Sequence, residues 1–190
     1  MKKLLTEVRV CTVCADALAH EPRPVLAAHA RARILIIGQA PGAKVHASGG
    51  AWDDKSGERL RDWMGVDDNT FYDERRVALM PMGFCYPGKG SSGDLPPRPE
   101  CAPLWHERLL AKMPNVKLTL LVGMYAQGHY LGERAKKTLT ENVRAWRDFG
   151  AKTMPLPHPS PRNGIWLRRN AWFEAELVPA LRRRVKRALK

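Results

Sequence analysis

Short apolar segments are separated along the chain by longer segments of mixed apolar and polar residues. This pattern predicts four β-strands separated by helices. The strand segments are residues 33–38, 77–82, 118–122 and 152–156. The helical segments are residues 56–64, 101–112, 123–130, 138–146 and 167–190. Because strands and helices alternate, we predict an α/β fold: a three-layer α/β/α sandwich with a central, mainly parallel four-stranded sheet.

Polar, Gly and Pro residues indicate where these elements begin and end. Ser56 is placed to cap the helix that begins there, and Pro179 is expected to interrupt the last helix. The stretch 43–54 is Gly-rich, and 87–99 is rich in Gly, Pro and Ser, so we predict that both are loops.

Two unusual turns follow directly from strand ends. Gln39 lies in the tight turn after the first strand, and His158 lies between two prolines after the last strand. Ligands of parallel sheets bind beyond the carboxyl ends of the strands. We therefore expect the two turns to form one cleft.

A chain of 190 residues is expected to form one domain, residues 1–190, with a cysteine-bearing N-terminal segment and a basic C-terminal helix. No apolar run approaches the roughly 18–20 residues that a membrane span needs. The N-terminus begins like a signal peptide, but Glu7 and Arg9 interrupt it. We expect a cytoplasmic monomer with no membrane partner.

The net charge of +13 indicates a polyanionic partner. Nucleic acid is the leading candidate, and an anionic membrane surface is the second. Basic residues are concentrated at 182–187 and recur at Arg162, Arg168 and Arg169. A solvated helix face that aids solubility explains the 182–187 run equally well.

The four cysteines have a spacing that is typical of a metal site. Cys11 and Cys14 form a C-x2-C pair, whereas Cys85 and Cys101 are isolated from it and from each other. Such a pair places two thiolates on one metal centre, and two further thiolates complete a four-sulfur set. One pair plus two single cysteines favours a [4Fe–4S] cluster over zinc. Four unrelated buried thiols are the alternative.

Several motifs together resemble the uracil-DNA glycosylase superfamily. Residues 38–42, Gly-Gln-Ala-Pro-Gly, resemble its first motif, and 157–163, Pro-His-Pro-Ser-Pro-Arg-Asn, resemble its second motif in the form found in single-strand-selective monofunctional glycosylases. The cysteine pattern is similar to that of the iron–sulfur branch, families 4 and 5. Trp52 followed by Gly57 resembles the family 4 stretch whose aromatic ring stacks on an extruded base.

The resemblance implies a monofunctional DNA glycosylase that initiates base excision repair and carries a [4Fe–4S] cluster on the four cysteines. Its expected partner is DNA that contains a damaged base, with uracil as the first candidate. Glycosidic cleavage leaves negative charge on the departing base, and His158 would donate a hydrogen bond to it. A histidine bonded to a backbone carbonyl is the structural alternative. The implied catalytic residues are His158, Gln39 and Asp53.

The implied substrate and DNA contacts surround this histidine. Trp52 would stack on the base, although packing in the core is its alternative role. Gln39 would hold a water or contact the base, and Asp53 or His46 would orient the water. The implied base contacts are Gly38, Gln39, Ala40, Trp52 and Asn163. The implied DNA contacts are Ser160, Arg162 and Lys44, with Lys89 as a further positive charge.

Two positions depart from the family 4 pattern. Gln39 replaces a glutamate, and the base-reading asparagine aligns with Pro81, which has neither a side-chain amide nor a backbone N–H. The substrate could then be hypoxanthine or xanthine. A catalytically inactive iron–sulfur protein that senses damaged DNA, and a zinc-ribbon-like nucleic-acid binder, are the alternatives from other functional classes.

Overall fold

The computed structural model describes all 190 residues and contains one parallel β-sheet of four strands. The strands are β1 (Ile34–Ile37), β2 (Val77–Leu79), β3 (Leu118–Val122) and β4 (Thr153–Leu156), in the spatial order β2-β1-β3-β4. Every neighbouring pair is parallel. The predicted α/β fold with a central parallel sheet is confirmed.

Nine α-helices flank the sheet. They are α1 (Lys2–Arg9), α2 (Ala43–Ser48), α3 (Lys55–Met64), α4 (Asp68–Tyr72), α5 (Cys101–Leu110), α6 (Met124–Leu131), α7 (Leu139–Arg144), α8 (Gly164–Arg169) and α9 (Val178–Ala188). No helix is both long enough and apolar enough to cross a bilayer.

Each strand buries both of its faces, so the sheet separates two apolar cores. Ile34 and Ile36 of β1 pack with residues of α3, α4 and α9, whereas Leu35 and Ile37 pack with residues of α1, α5 and α6. This division follows from the two-residue period of a strand. It explains why β1 is a continuous apolar run rather than an alternating one.

Three short helices were not predicted. The segment 43–54, expected to be a loop, contains α2, which ends at Gly49 in the left-handed conformation with φ 76°. Helix α4 begins after Asp67, whose side chain accepts a hydrogen bond from the Thr70 amide at 2.8 Å. Helix α1 buries Leu4, Leu5 and Val8 in the core that also contains Leu35 and Ile37.

Two predicted helix boundaries were wrong. Asp54, not Ser56, caps α3 by accepting a hydrogen bond from the Gly57 amide at 2.8 Å, and Ser56 is buried in its first turn. The C-terminal helix is already interrupted before Pro179, because α8 ends at Arg169 and a π-helical turn spans Phe173–Leu177. Pro179 then lies in the first turn of α9, where a missing N–H costs nothing.

Candidate active site

A cavity of about 500 Å³ opens beyond the carboxyl ends of β1 and β4. Both unusual turns line it, so the expectation that they form one cleft is confirmed. The lining includes Gly38, Gln39, Ala40, Pro41, Gly42, Trp52, Asp54, Ser56, Pro81, Asp94, His158, Ser160, Arg162 and Asn163.

The His158 ring has a defined proton arrangement. The Ser160 backbone N–H donates to Nδ1 at 3.2 Å, so Nδ1 must carry a lone pair. In a neutral imidazole the proton then lies on Nε2, which has no hydrogen-bond partner within the chain. Burial lowers the pKa of His158, and the negative charges of Asp54 and Asp94 only partly oppose this. The ring is therefore a neutral N–H donor at the cavity.

Three side chains hold the turn that carries His158 in place, one from within the turn and two from other elements. Asn163 Nδ2 donates to the His158 carbonyl at 2.7 Å, and Gln127 Nε2 donates to the Leu156 carbonyl at 2.8 Å. Arg59 of α3 donates to the carbonyls of Pro159 and Ser160 at 3.3 and 3.1 Å. The contribution of Arg59 was missed, because nothing local in the sequence links it to a turn a hundred residues away.

Trp52 lies beside His158, with ring centroids 5.7 Å apart and an angle of 27° between the rings. It is the one non-glycine residue with positive φ, 59°. Its carbonyl accepts hydrogen bonds from Arg61 at 3.3 Å and from the Tyr72 hydroxyl at 3.2 Å. These bonds stabilise a backbone conformation that residues other than glycine rarely adopt.

Two glycines make room for Trp52. A Cβ on Gly38 would lie 2.9 Å from Cζ2 of the indole, and a Cβ on Gly57 would lie 1.8 Å from the Trp52 carbonyl oxygen. Gly57 lies within α3, where glycine is otherwise unfavourable. The close approach of the Trp52 carbonyl explains why glycine occupies this position in the first turn of α3.

The carboxylate in the cavity differs from the expected one. Asp53 is exposed and does not line the cavity, whereas Asp54 does. Asp54 uses Oδ1 to cap α3, which leaves its second oxygen free for the cavity. Asp94, from the irregular segment 87–99, adds a second carboxylate that no motif in the sequence singles out.

The first turn contributes mainly backbone groups. The carbonyls of Gly38 and Gln39 accept hydrogen bonds from Met82 and Gly83 at 2.9 and 3.0 Å. The N–H groups of Gln39 and Ala40 donate to no acceptor within the chain. The Gln39 side-chain amide makes a long contact with the Leu95 carbonyl at 3.4 Å. Two backbone donors thus remain available at the cavity.

The remaining basic and aromatic candidates lie outside the cavity lining. Lys44 is exposed on α2, and Lys89 is exposed in the segment 87–99. His46 packs against His20 and Tyr86 with centroids 5.5 and 5.8 Å away. His46 therefore takes part in an aromatic cluster behind the cavity rather than in the cavity wall.

The protein-family model described as "Uracil DNA glycosylase superfamily" matches residues 26–182. The chain belongs to the uracil DNA glycosylase superfamily. This membership assigns it in general to the DNA glycosylases, which are hydrolases that act on DNA. The match includes both cavity turns, Cys85 and Cys101, but Cys11 and Cys14 precede it.

In this superfamily member, Pro81 lines the cavity, and a buried polar network lies behind it. His106 Nε2 is 3.1 Å from the Pro81 carbonyl oxygen, and His106 Nδ1 is 2.6 Å from the Tyr130 hydroxyl. Burial lowers the pKa of His106 to about 4. The ring is therefore neutral at neutral pH.

The four cysteines line one small, mostly apolar pocket of about 20 Å³. The Phe84 N–H lies 3.4 Å from Sγ of Cys101, and burial raises the pKa of Cys85 to about 11 and of Cys101 to about 12. No group of three or more His, Cys, Asp or Glu side chains is arranged to coordinate a single metal ion. The thiols thus share a pocket without forming a finished coordination shell.

We predict that Gly57→Ala destabilises the protein by about 1–3 kcal/mol, because the added methyl group overlaps the Trp52 carbonyl. Gly128→Ala is the matched control: it also lies in a helix, and a Cβ there meets nothing within 4 Å. It should stabilise the protein by about 0.5–1 kcal/mol. Urea unfolding measures both, and equal effects of the two substitutions would contradict the role of Gly57.

We also predict that the free energy of unfolding falls as the pH is lowered from 6.5 towards 4. In this window the unfolded chain protonates His106 more readily than the folded protein does, so protons favour unfolding. Above pH 6.5 His106 is neutral in both the folded and the unfolded chain, so this loss of stability is absent there. His106→Gln should show a shallower pH dependence in urea unfolding, and parallel curves for the two proteins would refute the assignment.

Proposed function

We propose that the protein is a monofunctional DNA glycosylase that hydrolyses the N-glycosidic bond of a deaminated base, with uracil as the first candidate. The observation that carries this proposal is the neutral Nε2–H of His158, which has no partner in the chain and lies at a cavity lined by both superfamily motifs. Superfamily membership supports the reaction class but does not identify the base that is excised.

The proposed chemistry begins with a nucleotide that is turned out of the DNA stack into the cavity. As the glycosidic bond breaks, the sugar gains positive charge and the base gains negative charge. The His158 N–H then donates to a base oxygen whose charge is rising, an interaction worth about 3–4 kcal/mol in comparable sites. A neutral donor needs no proton from solvent, which fits the lowered pKa of His158.

Trp52 offers the base an aromatic surface next to this donor. Stacking of a base on an aromatic side chain contributes about 1–3 kcal/mol in nucleic-acid sites. The unpaired N–H groups of Gln39 and Ala40 supply two more donors for base oxygens. The three features together suit a base that carries carbonyl groups, as deaminated bases do.

The attacking water requires positioning more than activation. Gln39 cannot act as a base because its amide does not ionise, but it can hold a water. Asp54, with one free carboxylate oxygen at the cavity, is a better placed partner for the water than Asp53. The same carboxylate would balance positive charge on the sugar.

The cavity lining contains no lysine. Strand cleavage through a Schiff base requires an amine nucleophile, so the proposed product is an abasic site in an intact strand. This supports a monofunctional glycosylase.

DNA contacts are proposed on the rim of the cavity. Arg162 is exposed next to His158, where it could occupy the space that a flipped nucleotide leaves. Ser160 and Lys44 would contact phosphates, and the net charge of +13 would favour binding to any DNA strand.

We further propose that the four cysteines bind a [4Fe–4S] cluster, for which the C-x2-C pair with two distant cysteines and their shared apolar pocket are the support. When bound, such a cluster supplies a covalent link between distant parts of a chain. Cys11 and Cys14 follow α1, whereas Cys101 begins α5. The cysteines would thus tie the N-terminal segment to the helix behind the cavity.

We predict that the protein releases uracil from labelled oligonucleotides and that His158→Ala lowers the rate by about 100–1000-fold. Alkali cleaves the resulting abasic sites, so strand breaks report base release. His29→Ala is the matched control, because His29 does not line the cavity, and it should keep the wild-type rate. Hypoxanthine and xanthine substrates, in single and double strands, identify the preferred base.

Binding to damaged DNA without base release from any of these substrates would contradict the glycosylase proposal. That result would instead support the catalytically inactive damage sensor, for which the replacement of the base-reading asparagine by Pro81 is the favouring observation.

We predict that protein purified without oxygen is brown and contains about four iron and four sulfide ions per chain. Cys11→Ser should lower the iron content and the melting temperature together, because one cysteine of the set is lost. Metal analysis and visible absorbance measure the outcome. A colourless protein with one zinc ion per chain would contradict the cluster and support a zinc site.

A further inference from the structure

The part of the cavity wall at Pro81 has no free polar backbone group. The Pro81 carbonyl is paired with His106 at 3.1 Å, and proline has no N–H. The next amide, that of Met82, donates to the Gly38 carbonyl at 2.9 Å. A base that meets this wall therefore contacts apolar surface only.

The orientation of this wall depends on a histidine that is only 2% exposed. A carbonyl oxygen can only accept, so His106 Nε2 must carry the proton that bonds Pro81. His106 Nδ1 then accepts from the Tyr130 hydroxyl, 2.6 Å away. Phe84 stacks on the same ring, with centroids 5.5 Å apart and an angle of 19°. The two hydrogen bonds and the stacking leave the ring one orientation.

We propose that His106, oriented by Tyr130, is a positioning residue that holds Pro81 as an apolar wall of the base cavity. The inference rests on the proposed glycosylase function. His106 does not line the cavity, so it acts only through Pro81. It is distinct from His158, which would touch the base itself.

The wall also determines where the first turn lies. Met82 and Gly83, which follow Pro81, hold the Gly38 and Gln39 carbonyls at 2.9 and 3.0 Å. A displacement of Pro81 would thus shift the free N–H groups of Gln39 and Ala40 as well. Positioning errors of about 1 Å can lower a rate by as much as about a hundredfold.

An apolar wall has a consequence for substrate class. It forms no hydrogen bond that distinguishes the edge of one deaminated base from another, so the hydrogen bonds to the base come from His158 and from the Gln39 and Ala40 N–H groups. A cavity of about 500 Å³ has room for a purine as well as a pyrimidine. The wall would therefore admit deaminated bases of both ring sizes without selecting among them.

The test compares His106→Leu, His106→Gln and the control His29→Leu in the full chain. The leucine removes both hydrogen bonds, whereas glutamine keeps a donor for Pro81 and an acceptor for Tyr130. We expect His106→Leu to lower kcat about 10- to 100-fold with little change in KM, and His106→Gln to recover most of the rate. The wild-type protein should release uracil, hypoxanthine and xanthine.

A second readout does not depend on activity. Histidine ¹⁵N resonances should show His106 with its proton on Nε2, and Tyr130→Phe should disturb that tautomer. Free uracil should shift the His158 resonances in the wild-type protein and in His106→Gln, but less in His106→Leu.

Three results would overturn the inference: wild-type kcat in folded His106→Leu, a charged His106 at neutral pH, or equal uracil responses in all variants. If the wild-type protein releases no base, the proposed function fails, and the resonance measurements alone then decide the role of His106.

Discussion

The contact between the Trp52 carbonyl and α3 determines the geometry of the whole cavity. No side chain fits at Gly57, because its Cβ would lie 1.8 Å from that oxygen. The contact lets the backbone turn at Trp52 with φ 59° and brings the indole within 5.7 Å of the His158 ring. Because Asp54 caps the same helix two residues later, one local arrangement places both an aromatic surface and a carboxylate at the cavity.

The backbone carbonyls near His158 accept several side-chain hydrogen bonds, as expected for a preformed site. Arg59, Gln127 and Asn163 each donate to a carbonyl of the segment 156–160, and none of these bonds uses the imidazole Nε2. Donors that are already oriented do not need to reorganise when charge develops, which is how such sites stabilise a transition state. The lowered pKa of His158 fits this arrangement, since burial favours the neutral ring.

Much of the fold, and part of the site, could be predicted from the sequence. The four strands and the meeting of Gln39 with His158 follow from apolar runs and from the geometry of parallel sheets. The choice between Asp53 and Asp54 could not be predicted, because it depends on the positive φ of the preceding tryptophan. Arg59 and His106 act across long sequence separations, and no local pattern distinguishes them from ordinary surface or core residues.

Helix α5 connects the two parts of the molecule that carry chemistry. Cys101 and Trp105 face the cysteine pocket, while the next residue, His106, bonds the cavity wall. The segment after β2 has the same double role, since Pro81 lines the cavity and Phe84 and Cys85 line the cysteine pocket. Two adjacent segments thus serve both sites. The cysteine pocket and the cavity wall therefore share packed, hydrogen-bonded neighbours, even though the cysteines lie outside the cavity.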